Sequence, residues 1–347
     1  MKSAWWLIGS RQGAWSWRVN RPTALLGLGL LLLCIVLGIW SLYLGSLRLT
    51  PEVIWQTLTQ PGHSMAHTVI LQWRLPRIVM ALVVGMALAI GGGIFQSLLR
   101  NPLGSPDVIG FNTGAWSGVL LTVVLFKGGE FAMALGSLLG GCLTAWIIFL
   151  LAWQQGLARM RLIIIGIAIS ALLNAVNIWV MMSASQESAL TAVLWSMGSL
   201  NGMTWRKCIP VLIGCIPLIL LCLSANRPLR QLELGDDTAQ ATGVRIQSSR
   251  LLLLLSATAV AAIATTMTGP IPFIALAAPQ IAARLCRDPS PSLLCTGLTG
   301  AALLLSADLL AQHGLAGIQL PVGIVTISLG GLYLLILLLS EARRSSS

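Results

Sequence analysis

The chain has 347 residues, of which 56% are hydrophobic and 9% charged, too apolar for a soluble domain and too apolar for disorder. The formal charge of +11 does not mark a nucleic-acid binder. Lys and Arg stand singly or in pairs at the ends of apolar runs, and no basic stripe is interleaved with aromatics.

The first 21 residues, with Lys2, Arg11, Arg18 and Arg21, form a polar, Trp-rich leader. The apolar run from Thr23 to Tyr43 is longer than the core of a signal peptide, and no small-residue cleavage site follows it. It reads as an uncleaved first span. Residues 45–73, with Pro51, Pro61, His63 and His67, read as a polar connection. The second span opens on Arg74-Leu75-Pro76-Arg77 and continues as an uncharged run from Ile78 to Leu99. It closes on Arg100-Asn101-Pro102-Leu103-Gly104, where proline lacks the amide hydrogen needed to continue a helix. A helix over Arg77 to Leu99 would rise about 33 Å, enough to cross the hydrocarbon layer.

Span three is expected over Asp107 to Phe126, and the tight turn Lys127-Gly128-Gly129-Glu130 leads into span four, ending near Trp153. A linker from Gln154 to Arg161 precedes span five, Leu162 to Met182. A polar segment follows, Ser183 to Lys207, holding the Gly198-Ser199-Leu200-Asn201-Gly202 turn. Span six covers Cys208 to Leu223, and the most charged stretch of the chain lies after it, Asn226 to Arg250. Span seven, Leu251 to Met267, breaks at Gly269-Pro270-Ile271-Pro272, and a short eighth span runs from Phe273 to Cys286 through Pro279. Spans nine (Leu293 to Ala311) and ten (Val322 to Ser340) finish a count of about ten.

With a cytoplasmic N-terminus and ten spans, fifteen of the 21 basic residues fall on the inner face, as the positive-inside rule requires. Arg48, Arg74, Arg77, Lys127, Arg206 and Lys207 fall outside. Glycines cluster within spans, at Gly91-Gly92-Gly93, Gly136 with Gly140, and Gly330-Gly331, where small residues let helices approach closely. Cys208, Cys215 and Cys222 recur every seven residues on one helix face and read as small buried hydrophobes, not as metal ligands or disulfides.

Catalytic motifs are absent: there is no HExxH, no GxSxG, and no Walker A loop ahead of Lys2, Lys127 or Lys207. If transport is powered, another subunit supplies the power. An ion-coupled carrier needs ionisable groups near mid-membrane. Asp308 alone lies within an apolar run, and it reads as a hydrogen-bonded packing residue near the outer end. Residues Leu232 to Val244 read as one short helix, with Asp236 and Asp237 at its positive end and Gly243 as its stop. Such a helix between two spans suits docking into a partner's groove.

Four blocks together resemble the permeases of ABC importers for iron-siderophores and vitamin B12. They are Arg74-Leu75-Pro76-Arg77, Asn101 through Asp107, Gly235-Asp236-Asp237-Thr238-Ala239 with Gly243-Val244, and Gly269-Pro270-Ile271-Pro272 through Pro279. Leu320-Pro321-Val322-Gly323 is a fifth. The resemblance implies an all-α, polytopic type II importer permease of the vitamin B12 permease kind, in the bacterial inner membrane with both termini cytoplasmic. Residues 1–21 would be a leader, 22–341 the ten-helix permease domain with 226–250 as its coupling segment, and 342–347 a tail. The implied partners are a second permease, two ATPase subunits carrying ATP and magnesium, a periplasmic siderophore-binding protein, the ferric siderophore and membrane lipid. The chain itself would bind no cofactor, no metal and no nucleic acid.

By the same resemblance, Arg74 and Arg77 receive carboxylates of the binding protein, a task suited to the arginine fork. Asn101, Pro102 and Leu103 form a cytoplasmic gate loop. Gly235, Asp236, Asp237, Thr238, Ala239 and Gly243 form the helix that seats on the ATPase. The cargo class extends from catecholate siderophores to other iron chelates, haem and cobalamin. The chain departs from the family at three places: Gln280 replaces a frequent His, Gln312 a frequent Arg and Gln319 a frequent Glu. Gln312 cannot replace the arginine as a charge. An ion-coupled carrier or a structural scaffold remain the readings from other classes.

Overall fold

The computed structural model describes residues 5–9, 16–45, 50–59, 64–107, 110–153, 159–288, 292–314 and 318–345. Lys2 and Arg11 of the leader, Arg48, Pro61 and His63 of the first connection, residues 154–158 of the linker and 346–347 of the tail lie outside them.

Within the polar, Trp-rich leader expected over residues 1–21, two short strands pair antiparallel, β1 (Trp5–Gly9) and β2 (Ser16–Asn20). Every described element after them is a helix: α1 (Arg21–Tyr43), α2 (Pro51–Thr59), α3 (Met65–His67), a π-helical segment Thr68–Arg74, and α4 (Leu75–Leu99). These are followed by α5 (Phe111–Phe126), α6 (Glu130–Ala152), α7 (Arg159–Met182), α8 (Gln186–Ser196) and α9 (Trp205–Ser224). Next come α10 (Asn226–Glu233), α11 (Asp236–Ala241), α12 (Ile246–Thr268), α13 (Ile274–Cys286), α14 (Leu293–His313) and α15 (Val322–Ser345). Among the described residues seven helical stretches are long and apolar enough to cross a membrane, and three shorter apolar helices, in α5, α13 and α15, bring the number to about the ten expected.

The central element is α4, packed on α14, α12, α13 and α9. Small residues make this possible. A Cβ at Gly85 would strike the Gly300 carbonyl on α14, and one at Gly92 would strike the Ala275 carbonyl on α13. Pro279 explains the second contact: it has no N–H for the carbonyl four residues back, Ala275, and the backbone of Gly92 covers that oxygen. A second group, α5 on α6 with α7 beside them, meets through Gly114, Gly118, Gly136 and Gly140, each backed against a glycine or threonine opposite. The outer helices are lipid-like on their exposed faces; on α7, Leu172, Trp179 and Met182 are all more than half exposed. Cys208, Cys215 and Cys222 are fully buried on one face of α9, as their spacing implied.

Three of the boundaries that differ from the expectation bear on the site. The second span does not start at Arg77: Met65–Leu99 is one continuous rod of 35 residues. Pro76 is carried because the preceding turn widens, the Leu75 amide reaching back to the Ile70 carbonyl, so the register shifts where the proline has no donor to give. Span three begins at Phe111, and Asp107 belongs to the loop before it, accepting a bond from Asn112 Nδ2 at 2.6 Å. The expected helix over 232–244 is split. Gly235, at φ +122°, separates α10 from α11, a conformation a side chain would disfavour.

Candidate functional site

The candidate residues gather at the two ends of α4. At its N-terminal end, Arg77 forms a forked ion pair with Asp308 of α14, with Nε to Oδ2 at 2.9 Å and Nη2 to Oδ1 at 2.8 Å. Gln312 Nε2 donates to the same Oδ2 at 2.8 Å. Asp308 is thus the packing residue its position suggested, and the buried charge is compensated as a low-dielectric site demands. Arg74 donates to the Leu42 carbonyl at the end of α1, and Gly45 leaves room for its guanidinium. Arg74, Arg77, Gln312, His313, Gln319 and Trp73 share the walls of one cavity of about 470 Å³. The four sequence positions that carry the arginine pair and two departures from the family pattern therefore meet at one place. The π-helical segment beneath them is held by Trp205, whose Nε1 donates to the Leu71 carbonyl at 2.7 Å.

At the other end, α4 stops at Arg100 in a left-handed turn, φ 49° and ψ 41°. The following residues form a self-contained loop: Asn101 Oδ1 accepts the Leu103 amide and Asn101 O accepts the Gly104 amide, both at 2.9 Å. Leu103 and Pro102 are exposed, and Ser105 and Pro106 are buried below them. Gln280 Nε2 donates to the Pro102 carbonyl at 2.7 Å, and Arg100 Nη2 to the Leu232 carbonyl of α10 at 3.2 Å. Next to Leu232, α11 carries Asp236 and Asp237 in its first turn. The Val244 amide reaches back to the Ala239 carbonyl and Gly243 takes φ +85°, so Gly243 closes the helix as expected. Asp236 is paired with Arg250 of α12 at 2.7 Å, whereas Asp237 is exposed. Burial pushes the Asp107 carboxyl up to about 6, opposed by its bond from Asn112.

The broken-helix residues Gly269, Pro270 and Pro272 are joined to the Gly198–Ser199 turn and to Gly323. The Ser199 amide donates to Thr268 O at 2.7 Å, and the Gly323 amide to Gly198 O at 3.0 Å. Three of the sequence blocks, far apart in the chain, thus form one junction. Phe273 follows in a left-handed conformation, φ 69°, unusual for a non-glycine residue, with its ring against Gly330.

Arg100, Arg250, Tyr333 and the bonded role of Gln280 were not found by motif. Arg100 borders the gate block and Gln280 stood out as a departure, but nothing local names their partners. Among the described residues no group of three His, Cys, Asp or Glu side chains could hold a metal ion.

The model of the FecCD transport family matches residues 30–340. The ferric enterobactin transport system permease protein FepG of Escherichia coli K12 is 49% identical over 94% of this chain and 99% of its own. The hemin transport system permease protein HmuU of Yersinia pestis is 37% identical over 94% of this chain and 98% of its own. Among solved structures, an inward-facing conformation of a metal-chelate type ABC transporter superposes with a TM-score of 0.80 and 29% identity, covering 91% of this chain and 99% of that one.

Proposed function

The chain belongs to the FecCD transport family, and from that premise we propose that it is the permease subunit of an ABC importer carrying a ferric siderophore of the catecholate type, such as ferric enterobactin, from periplasm to cytoplasm. The observation that carries the cargo is the margin between relatives: 49% identity to a ferric enterobactin permease against 37% to a hemin permease. The multi-pass helical body would sit in the inner membrane with both termini cytoplasmic, residues 22–341 forming the permease domain between the 1–21 leader and the 342–347 tail.

In this reading the cavity at Arg74 faces the periplasm. Arg74 and Arg77 both line it, Arg77 ion-paired with Asp308 and Arg74 bonded to the Leu42 carbonyl. Carboxylates of a binding protein would dock there, their charge fixing the register of the complex. At the opposite end, α11 would seat on an ATPase subunit, with Asp237 exposed toward it, and the 101–103 loop would close the cytoplasmic mouth. The chain has no phosphate loop of its own, so ATP and magnesium belong to the two ATPase subunits. The switch is driven by whatever difference nucleotide makes between the inward- and outward-facing states. A second permease would complete the path.

The ion-coupled alternative is weakened by Asp308. The carboxylate placed within a long apolar helix is committed to a forked ion pair with Arg77 that joins α14 to α4. The deciding experiment deletes the gene and tests growth on single iron sources under iron limitation. Loss of growth on ferric enterobactin, with growth on ferric citrate and haem retained, supports the cargo. Loss on haem alone replaces it. Purified chain in vesicles that accumulates the chelate on a pH gradient without ATPase subunits removes the importer reading.

A further inference from the structure

We propose that Arg100 and Gln280 grip the 101–103 loop from opposite sides and make it the element through which movement of the α10–α11 segment reaches the path. The proposal rests on the reading above, in which α11 meets the ATPase and this loop closes the mouth.

The geometry begins with a loop too stiff to move in parts. Its two internal bonds, both accepted by Asn101, fold residues 101–104 into one turn, and the Asn101 amide is itself tied back to Gln96 O at 3.2 Å. Such a turn shifts as a body when either of its ends is pulled.

One end is Arg100. Its guanidinium bonds the Leu232 carbonyl in the last turn of α10, four residues before α11 begins. Leu229 and Leu232 are buried, so α10 is seated on the bundle, and Arg100 itself ends α4 in a left-handed conformation. Leu234 and Gly235, the latter at φ +122°, are all that lies between α10 and α11, so the two short helices follow each other directly. The Asp236–Arg250 pair joins α11 to α12, so displacement of α11 is shared between α12 and α10. From α10 it reaches the loop through Arg100.

The other end is Gln280 on α13. Its amide uses both halves: Nε2 donates to Pro102 O at 2.7 Å, and Oε1 accepts from Tyr333 Oη of α15 at 3.4 Å. The Arg284 guanidinium lies over the Tyr333 ring at 5.7 Å, holding the phenol in place. The loop is thereby connected to α13 and α15 by one side chain that must be donor and acceptor together. A neutral carboxamide does both, whereas an ionised carboxylate accepts only.

The pair therefore acts by positioning. Without Arg100 the ATPase cycle continues and the loop no longer follows it; without the Gln280 amide the loop loses its counter-anchor. The test uses the complete importer in proteoliposomes, with companion permease, ATPase subunits, binding protein and ferric enterobactin labelled with radioactive iron. Iron transported and ATP hydrolysed are measured together. For Arg100→Ala, hydrolysis is expected within twofold of wild type while iron per ATP falls at least fivefold, with Arg100→Lys partly restoring it. Gln280→Glu, which keeps length and loses the donor, is expected to fall similarly. Should Arg100→Ala fail to co-purify with its ATPase, Gln280→Glu alone decides. Iron and ATP turnover falling in proportion, or an unchanged ratio, overturns the proposal. A wild-type complex with no ATP-dependent iron uptake would instead overturn the reading on which it rests.

Discussion

Asp308 accepts both guanidinium nitrogens of Arg77 across 231 residues of chain, with the carboxylate 1% exposed and the arginine side chain 14%. The pair joins α4 to α14, the two helices most deeply set in the bundle. Removing one partner of a buried pair leaves the other charge uncompensated, at a cost of about 3 kcal/mol. Asp308→Asn should lower the melting temperature in detergent, and Arg77→Met combined with Asp308→Leu should recover most of the loss. Equal melting of wild type and Asp308→Asn would deny the pair any structural weight.

The same pair separates the two arginines of the cavity. Arg74→Glu is expected to weaken binding-protein affinity tenfold or more, about 1.4 kcal/mol, with insertion unaffected. Arg77→Glu should act first on folding, because it places a second carboxylate against Asp308. Titration of immobilised binding protein, alongside size-exclusion profiles, tells the two apart. An unchanged dissociation constant for Arg74→Glu would remove it from docking.

Gly92→Ala should be poorly tolerated. Its new methyl would meet the Ala275 carbonyl, which belongs to backbone and cannot turn aside. A cost of about 1–3 kcal/mol is expected for such overpacking. Gly331→Ala on α15 meets nothing within 4 Å and should be neutral or slightly stabilising. Thermal unfolding of the two variants compares them directly, and equal melting would refute the close approach of α4 and α13.

Asp107 carries a pH prediction. Its folded value of about 6 lies above the unfolded value of about 3.9, so the folded state holds the proton longer. Its contribution favours the fold below about pH 4 and is lost as pH rises through 6. Asp107→Asn keeps the acceptor for Asn112 and removes the charge. At pH 7.5 it should stabilise the protein by up to about 2 kcal/mol, reduced because the side chain is only half-buried. At pH 4.5 the gain should fall to roughly a third of that. Melting curves at the two pH values suffice, and a gain independent of pH would show that charge is not its source.

On α11 the neighbouring aspartates should behave differently. Asp236→Lys sets a cation against Arg250 and should loosen α11 from α12. Asp237→Lys alters an exposed charge and should leave the fold intact while reducing ATPase co-purification several-fold. Normal recovery of the ATPase with Asp237→Lys would contradict the docking assignment of that face.

The sequence by itself determined what is local. Uninterrupted apolar runs bounded by Arg, Pro and Gly set the helices of the bundle, the heptad of cysteines set the buried face of α9, and glycine clusters marked where backbones meet. Gly243 announced its helix stop because a left-handed residue is a local demand. Only the tertiary structure decided which distant groups complete one another. Gln280 reaches Pro102 across 178 residues, and Asp308 reaches Arg77 across more. It also decided that Pro76 lies within a helix, because a widened turn before it absorbs the missing donor. Periodicity and turn chemistry act over a few residues, whereas a pairing between separate helices depends on how the whole bundle is arranged.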